Sequence, residues 1–213
     1  MKNHHLISLI VLVILFGACA PTIYVAPDFD KVKSKHDIVA ILPFDVQISM
    51  KSLPKDVTQE MIREDEKKTG FSMQGHSYTY FLKEQGKNKY SVKFQDIDKT
   101  NSLLTKAGLS YTDTKTTAKE ELCKILGVDA VISGKLTMDK PMSDGSAIAV
   151  GLIFGYWGST NKVNVSMTIH ENAKGNLLWK YDWVAEGGVG SNSEQLSKSL
   201  VKNVSKKFPY QRK

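Results

Sequence analysis

Apolar positions recur along this chain at two spacings, every three to four residues in some stretches and every second residue in others, and each change of spacing marks a new element. The clearest case is 116–136, TTAKEELCKILGVDAVISGKL. Thr117 with Glu120 three residues on has the form of a capping box, in which the Thr hydroxyl and the Glu carboxylate each meet a free backbone N–H. Ala118, Leu122, Ile125 and Leu126 then make one apolar helical face, and Gly127 suits the left-handed position that ends a helix without a Cβ clash. Val128, Ala130, Val131 and Ile132 follow in a short run bounded by Gly134, the pattern of a strand covered on both faces.

The rest of the chain supplies the neighbours such a strand needs. A buried first strand is expected over 37–44, ended by Pro43. A helix over 59–68 points Met61 and Ile62 inward and stops at Thr69-Gly70. Residues 71–110 read as an insertion. In it, Tyr78, Phe81 and Leu82 fit a second helix ending near Gly86, while Tyr90, Val92 and Phe94 alternate as a half-buried strand does. Asp98 or Thr100 then caps a third helix that Gly108 ends. Residues 161–170 and 176–184 alternate strongly across a turn holding Gly175, as in a hairpin. A closing helix over 193–208 follows a second capping box, Ser191 with Glu194, and carries Leu196, Leu200, Val204 and Phe208 as its stripe. These elements imply the α/β (α+β) class: a mixed β-sheet packed by helices, in one three-layer-like domain over 37–213, with an apolar loop at 141–160.

The amino terminus stands apart. Lys2, His4 and His5 precede an apolar run of eleven residues, 6–16. That is too short for a membrane-spanning helix of roughly 20 residues and suits the core of a signal peptide. The run ends in Leu15-Phe16-Gly17-Ala18-Cys19, which resembles the lipobox of bacterial lipoproteins, with Phe16 where Leu is usual. The resemblance implies removal of 1–18 as a lipoprotein signal peptide and acylation of Cys19 with palmitate-type chains. Ala20, where sorted inner-membrane lipoproteins carry Asp, implies the outer membrane, with a periplasm-facing position expected and surface exposure as the alternative. Residues 19–36, with two prolines and no periodicity, read as the lipidated Cys and a flexible tether. Cys123, the other cysteine of two, then has no disulfide partner and reads as a small hydrophobe on the inward side of its helix.

Composition narrows the partners. Without residues 1–18 the chain loses only Lys2, leaving 28 basic against 22 acidic side chains. A moderate basic excess suits contact with anionic lipid, glycan or cell-wall polymer. No nucleic-acid motif is present, so no nucleic-acid partner is expected.

Two stretches are candidates for function. Residues 147–158, AIAVGLIFGYWG, carry no charge. Ile148, Leu152, Phe154, Tyr156 and Trp157 make them an interaction surface for a protein or the membrane. A loop or short helix closing over the sheet edge, and a pore-lining strand, are the other readings. Twelve residues exceed the roughly 9–11 of a barrel strand, but the polar alternation of a pore wall is missing. The second candidate is the row Lys198, Lys202 and Lys206, either a solvated helix face or a contact for anionic lipid or cell-wall polymer.

Catalytic motifs are lacking. His36, His76 and His170 are scattered, with no metal-ligand spacing, and there is no nucleophile-elbow pattern. The glycine-rich 186–191 stretch, EGGVGS, has no Gly-Lys-Ser/Thr ending, and Glu64-Asp65-Glu66 reads as a solvated face. No cofactor, metal or enzymatic activity is expected.

Taken together, IVAILPFD at 38–45, ELCKILGVDAVISGKL at 121–136 and TIHENAKGNLLWKYD at 168–182 resemble a group of envelope proteins. These are the lipoproteins related to the curli-secretion channel CsgG, the lipoprotein activators of peptidoglycan synthases, and the amino-terminal domain of TolB. The likeness covers 37–44 and 116–208. It implies binding, scaffolding or assembly: an outer-membrane-anchored periplasmic lipoprotein acting as a non-catalytic factor of the cell envelope. The alternative is a subunit of a CsgG-like oligomeric secretion or assembly complex. The implied partners are the membrane, through Cys19, and an envelope protein or a second copy of the chain.

Overall fold

The computed structural model describes residues 21–50, 57–140, 162–185 and 193–212. Cys19 with the signal segment, the interaction surface Ile148, Leu152, Phe154, Tyr156 and Trp157, and the 186–191 stretch all lie outside these residues. In chain order the described residues form β1 (Thr22–Val25), α1 (Phe29–Lys33), β2 (Ile38–Ile41), β3 (Asp45–Met50) and α2 (Gln59–Gln85). Then come β4 (Lys93–Phe94), α3 (Ile97–Lys106), α4 (Asp113–Thr116), α5 (Lys119–Leu126), β5 (Ala130–Lys140), β6 (Lys162–Glu171), β7 (Leu177–Ala185) and α6 (Ser193–Val204).

The strands make one mixed sheet in the order β1-β7-β6-β5-β2-β4, with β3 continuing the line of β2 along β5. Strands β1, β7, β6 and β5 are antiparallel neighbours, whereas β2 and β3 run parallel to β5. The α/β class is therefore as the hydrophobic pattern implies. Alternation along β5 sorts its side chains: Ile132, Leu136 and Met138 enter the larger core beneath α2 and α6, and Val131 enters the smaller core beneath α3 and α5.

One irregularity organises the centre of the sheet. Ile41 lies opposite Ile132 and Asp45 opposite Lys135, so Leu42-Pro43-Phe44 face only Ser133-Gly134. That is a bulge, and Pro43, which has no N–H to give a ladder, sits within it. The bulge turns Phe44 into the core between two glycines. A Cβ on Gly134 would lie 2.2 Å from the Phe44 ring, and one on Gly70 would lie 2.4 Å from the Phe44 carbonyl oxygen. The Phe44 N–H donates to the Gly70 carbonyl at 3.1 Å. The Tyr111 hydroxyl donates to the Phe44 carbonyl at 2.7 Å and accepts from the Val46 N–H at 3.2 Å.

Several expectations are corrected by this packing. Gly70 does not stop a helix. It is buried mid-way along α2, which runs unbroken for 27 residues because the close approach to Phe44 needs a residue without a side chain. Likewise β5 passes through Gly134 as far as Lys140. Glu66 is no solvated carboxylate, since it accepts the Ile48 N–H at 2.8 Å and so closes the edge of β3. The Thr117–Glu120 capping box does not form. The Thr117 hydroxyl donates backward to the Asp113 carbonyl, ending α4, and α5 starts without a side-chain cap. The cap of α3 is Asp96, one turn-start earlier than expected, accepting from the Asp98 and Lys99 N–H groups at 3.0 Å. Gly127 does take the left-handed conformation, at φ 64°, ψ 44°.

Within the expected tether 19–36, the described residues 21–36 are more structured than a tether. Thr22–Val25 pair with β7, Ala26 N–H donates to the Leu178 carbonyl, and Phe29 is buried edge-on against Tyr210. A four-residue strand whose side chains are all exposed leaves no burial pattern in the sequence.

Candidate functional site

The direction of α2 is fixed by its polar and backbone contacts. Glu66 meets Ile48 in β3, Gly70 meets Phe44 in the bulge, and the Gln74 side-chain amide donates to the Ile41 carbonyl at 2.8 Å in β2. The helix thus descends antiparallel to β3 and β2. Helix α6 descends beside it. The Ser197 hydroxyl donates to Met73 Sδ at 3.0 Å near the top, and the Phe208 and Phe81 rings meet at 5.0 Å near the bottom.

Leu196, Leu200, Val201 and Val204 are buried, which turns Lys198 and Lys202 outward. On α2 the burial of Met73 and Phe81 leaves Tyr80 and Lys83 on the flank facing α6. Between the lower ends of the two helices lies a groove of about 300 Å³. Its walls carry Lys83, Lys87 and Lys89 from α2 and the turn after it, and Lys198, Lys202 and Lys206 from α6 and its continuation. Tyr80 and Val201 supply the apolar part, and Glu84 is the one carboxylate lining it.

Glu84 is already engaged. It pairs with Lys87 at 2.6 Å and with Lys89, and hydrogen bonds from these two ammonium groups hold its carboxyl below the usual range. Among the described residues, no carboxylate is in ion-pair contact with Lys83, Lys198, Lys202 or Lys206. The groove therefore holds a local excess of positive charge at two helix C-termini, where cations also meet the favourable end of the helix dipole. It can hold an anion.

The structure thus places Lys198, Lys202 and Lys206 together on one wall, as their spacing implies, and adds a second wall that sequence reasoning missed. The signal was present as Lys83 and Lys87 at i, i+4, but within an insertion whose partner helix lay far along the chain.

Burial shifts one cysteine and two histidines elsewhere toward their neutral forms. The Cys123 thiol is pushed up to about 12. Burial holds His36 and His170 below the ordinary imidazole value, with Lys119 adding to the effect on His170. His36 Nδ1 and the Tyr210 hydroxyl share a hydrogen bond at 2.6 Å, and burial pushes that phenol far up. Among the described residues, no group of three His, Cys, Asp or Glu side chains is placed to hold a metal, and no helix is long and apolar enough to cross a membrane.

No protein family and no curated protein matches the sequence. Among solved structures, lipoprotein GNA1162 from Neisseria meningitidis is similar at 18% identity and a TM-score of 0.47, covering 80% of this chain and 96% of that one. The PelC dodecamer from Paraburkholderia phytofirmans is similar at 13% identity and a TM-score of 0.40, over 87% of this chain and 94% of that one. The LpoB C-terminal domain from Salmonella enterica is similar at 11% identity and a TM-score of 0.37, over 75% of this chain and 93% of that one.

Proposed function

We propose that this protein is a lipid-anchored lipoprotein of the bacterial outer membrane, facing the periplasm, that acts as a non-catalytic binding or assembly factor of the cell envelope. The observation that carries the reading is the Leu-Phe-Gly-Ala-Cys ending of the apolar amino-terminal run, with Cys19 only three residues ahead of the paired strand β1. A diacyl or triacyl Cys19 would hold the domain stably, since a single chain gives only marginal membrane binding. A binding role is supported by the chemistry of the domain. Burial pushes the Cys123 thiol up to about 12 and holds the half-buried His36 and His170 below the ordinary imidazole value, and the hollow between α2 and α6 is a groove lined by lysines.

Fractionation of the native bacterium tests the anchor. The wild-type chain is expected in the membrane pellet, released by detergent but not by high salt. Cys19→Ala is expected to leave the pellet or to accumulate uncleaved. A variant that fractionates and migrates like wild type would sink the lipoprotein reading.

A further inference from the structure

We infer that the lysine groove between α2 and α6 binds a phosphate-bearing polyanion on the side of the domain remote from the anchoring membrane. The orientation rests on the anchor proposed above; the ligand class rests on the groove alone.

Strand directions give the molecule two ends. Thr22 lies opposite Asp182 and Val25 opposite Trp179, so β1 begins where β7 is finishing. Met50 lies opposite Lys140, and Asp139 opposite Lys162. The chain therefore leaves for Cys19, and enters and leaves the uncharged 147–158 stretch, at one and the same end of the sheet. Cys19 precedes Thr22 by three positions, a leash of at most about 10 Å. The groove lies at the opposite end. From Glu66, level with Ile48, to Lys83 is seventeen residues of α2, or about 25 Å at 1.5 Å per residue. Charge is screened over about 8 Å at physiological ionic strength, so the headgroups of the anchoring bilayer do not reach these lysines.

The groove's chemistry selects the ligand. It offers six ammonium groups and no guanidinium, and lysine binds phosphate as a point charge while bidentate carboxylate recognition favours arginine. The sole carboxylate is consumed by Lys87 and Lys89. Lys198 and Lys202 step along α6 at about 6 Å, and Lys83 faces them from α2. Two charged walls along a cleft match a linear ligand with repeated negative charges better than one small anion. Tyr80 and Val201 alone are too little apolar surface for the aromatic anchors of a protein interface.

The test uses the full chain purified from membranes in a neutral detergent, with inorganic polyphosphate as probe. Saturable binding that weakens with salt is expected. Lys198→Gln/Lys202→Gln/Lys206→Gln should lower affinity by about tenfold or more and flatten the salt dependence by about 2 in log–log slope, at roughly 0.7 per charge removed. Lys135→Gln/Lys180→Gln, on the open face of the sheet, should change neither, and equal melting temperatures show all variants folded. Absence of saturable binding overturns the inference, as does a triple variant that binds like wild type. Polyglutamate bound as tightly as polyphosphate overturns the ligand class in favour of an acidic segment. Recruitment of the Cys19→Ala chain to phosphatidylglycerol vesicles, lost in the triple variant, overturns the remote orientation and makes the groove a lipid contact. The intact mass of the same sample reads acylation of Cys19 independently. An unacylated chain that still binds polyphosphate through these lysines overturns the anchor and the orientation, and upholds the ligand class.

Discussion

The two faces of the sheet are closed to very different degrees. Under α2 and α6 the core is continuous from β4 to β7 and dense in rings: Phe81 lies 5.0 Å from Phe208, 5.1 Å from Phe94 and 6.1 Å from Tyr90, and Trp179 meets Phe208 at 6.0 Å. Under α3 and α5 the core is a smaller patch built on Ala40, Leu42, Val128 and Val131, sealed by Leu122, Cys123 and Leu126. Beyond that patch the same face of β5, β6 and β7 is polar, with Lys135, Thr137, Asn164, Ser166, Lys180 and Asp182 bordering an open hollow of about 440 Å³. Lys180 and Asp182 pair with each other there at 3.0 Å. The helical face thus supplies most of the burial and also the lysine groove on its outer surface, whereas the polar sheet face pairs Lys180 with Asp182. Stability and candidate binding lie in the same layer, and separating them requires substitutions on opposite sides of α6.

The largest effect expected follows from that contrast. Phe81→Ala should cost about 3–5 kcal/mol, read from the shift of the urea midpoint, because the ring meets three aromatic neighbours, Tyr90, Phe94 and Phe208. Leu122→Ala on the smaller core should cost less, about 2–3 kcal/mol. Equal losses would mean that the two faces contribute alike. Gly134→Ala should cost about 1–3 kcal/mol through overpacking against Phe44, with Phe44→Leu in the same chain recovering part of it. A neutral Gly134→Ala would show that the ring moves aside freely.

Acid should weaken the fold through both faces. His36 lies under the helical face with Tyr210, and His170 lies on β6 near Lys119. Each has a folded-state pKa depressed below the unfolded value of about 6.5. Above about pH 6.5 both states are neutral and the shifts contribute nothing. As pH falls below it, the unfolded chain takes up protons first, and stability declines until the folded-state values are passed. The urea midpoint should therefore drop between about pH 7 and about pH 5.5, and the drop should shrink in His36→Gln/His170→Gln. The same drop in that variant would exclude the histidines as its source. The smallest effect belongs to the polar face, where Thr137→Ala should stay within about 0.5 kcal/mol of wild type.

What the sequence revealed and what it hid divide along physical lines. The α5–Gly127–β5 junction, the β6–β7 hairpin and the stripe of α6 were legible because their signals are local: a period, a left-handed glycine, an alternation. Gly70 and Gly134 were misread as punctuation, because a glycine that ends an element and one that makes room for a ring are identical letters. Only Phe44, brought to both by the bulge, tells them apart. Strand β1 was hidden since its pairing partner, β7, lies far along the chain and its own side chains stay exposed. The groove was half legible. The lysine row of α6 shows in the spacing of 198, 202 and 206, but its opposite wall exists only once α2 runs unbroken through Gly70 and descends beside α6.

The most direct measurement of this polarity puts one fluorophore on the acylated protein bound to vesicles that carry a quencher in their headgroups. The dye is attached through Thr22→Cys in one sample and Lys206→Cys in the other, with Cys123 buried and unreactive. Strong quenching at position 22 and none at position 206 is the expected result. Quenching at 206 equal to or greater than that at 22 would contradict it, because the groove would then face the bilayer that holds Cys19.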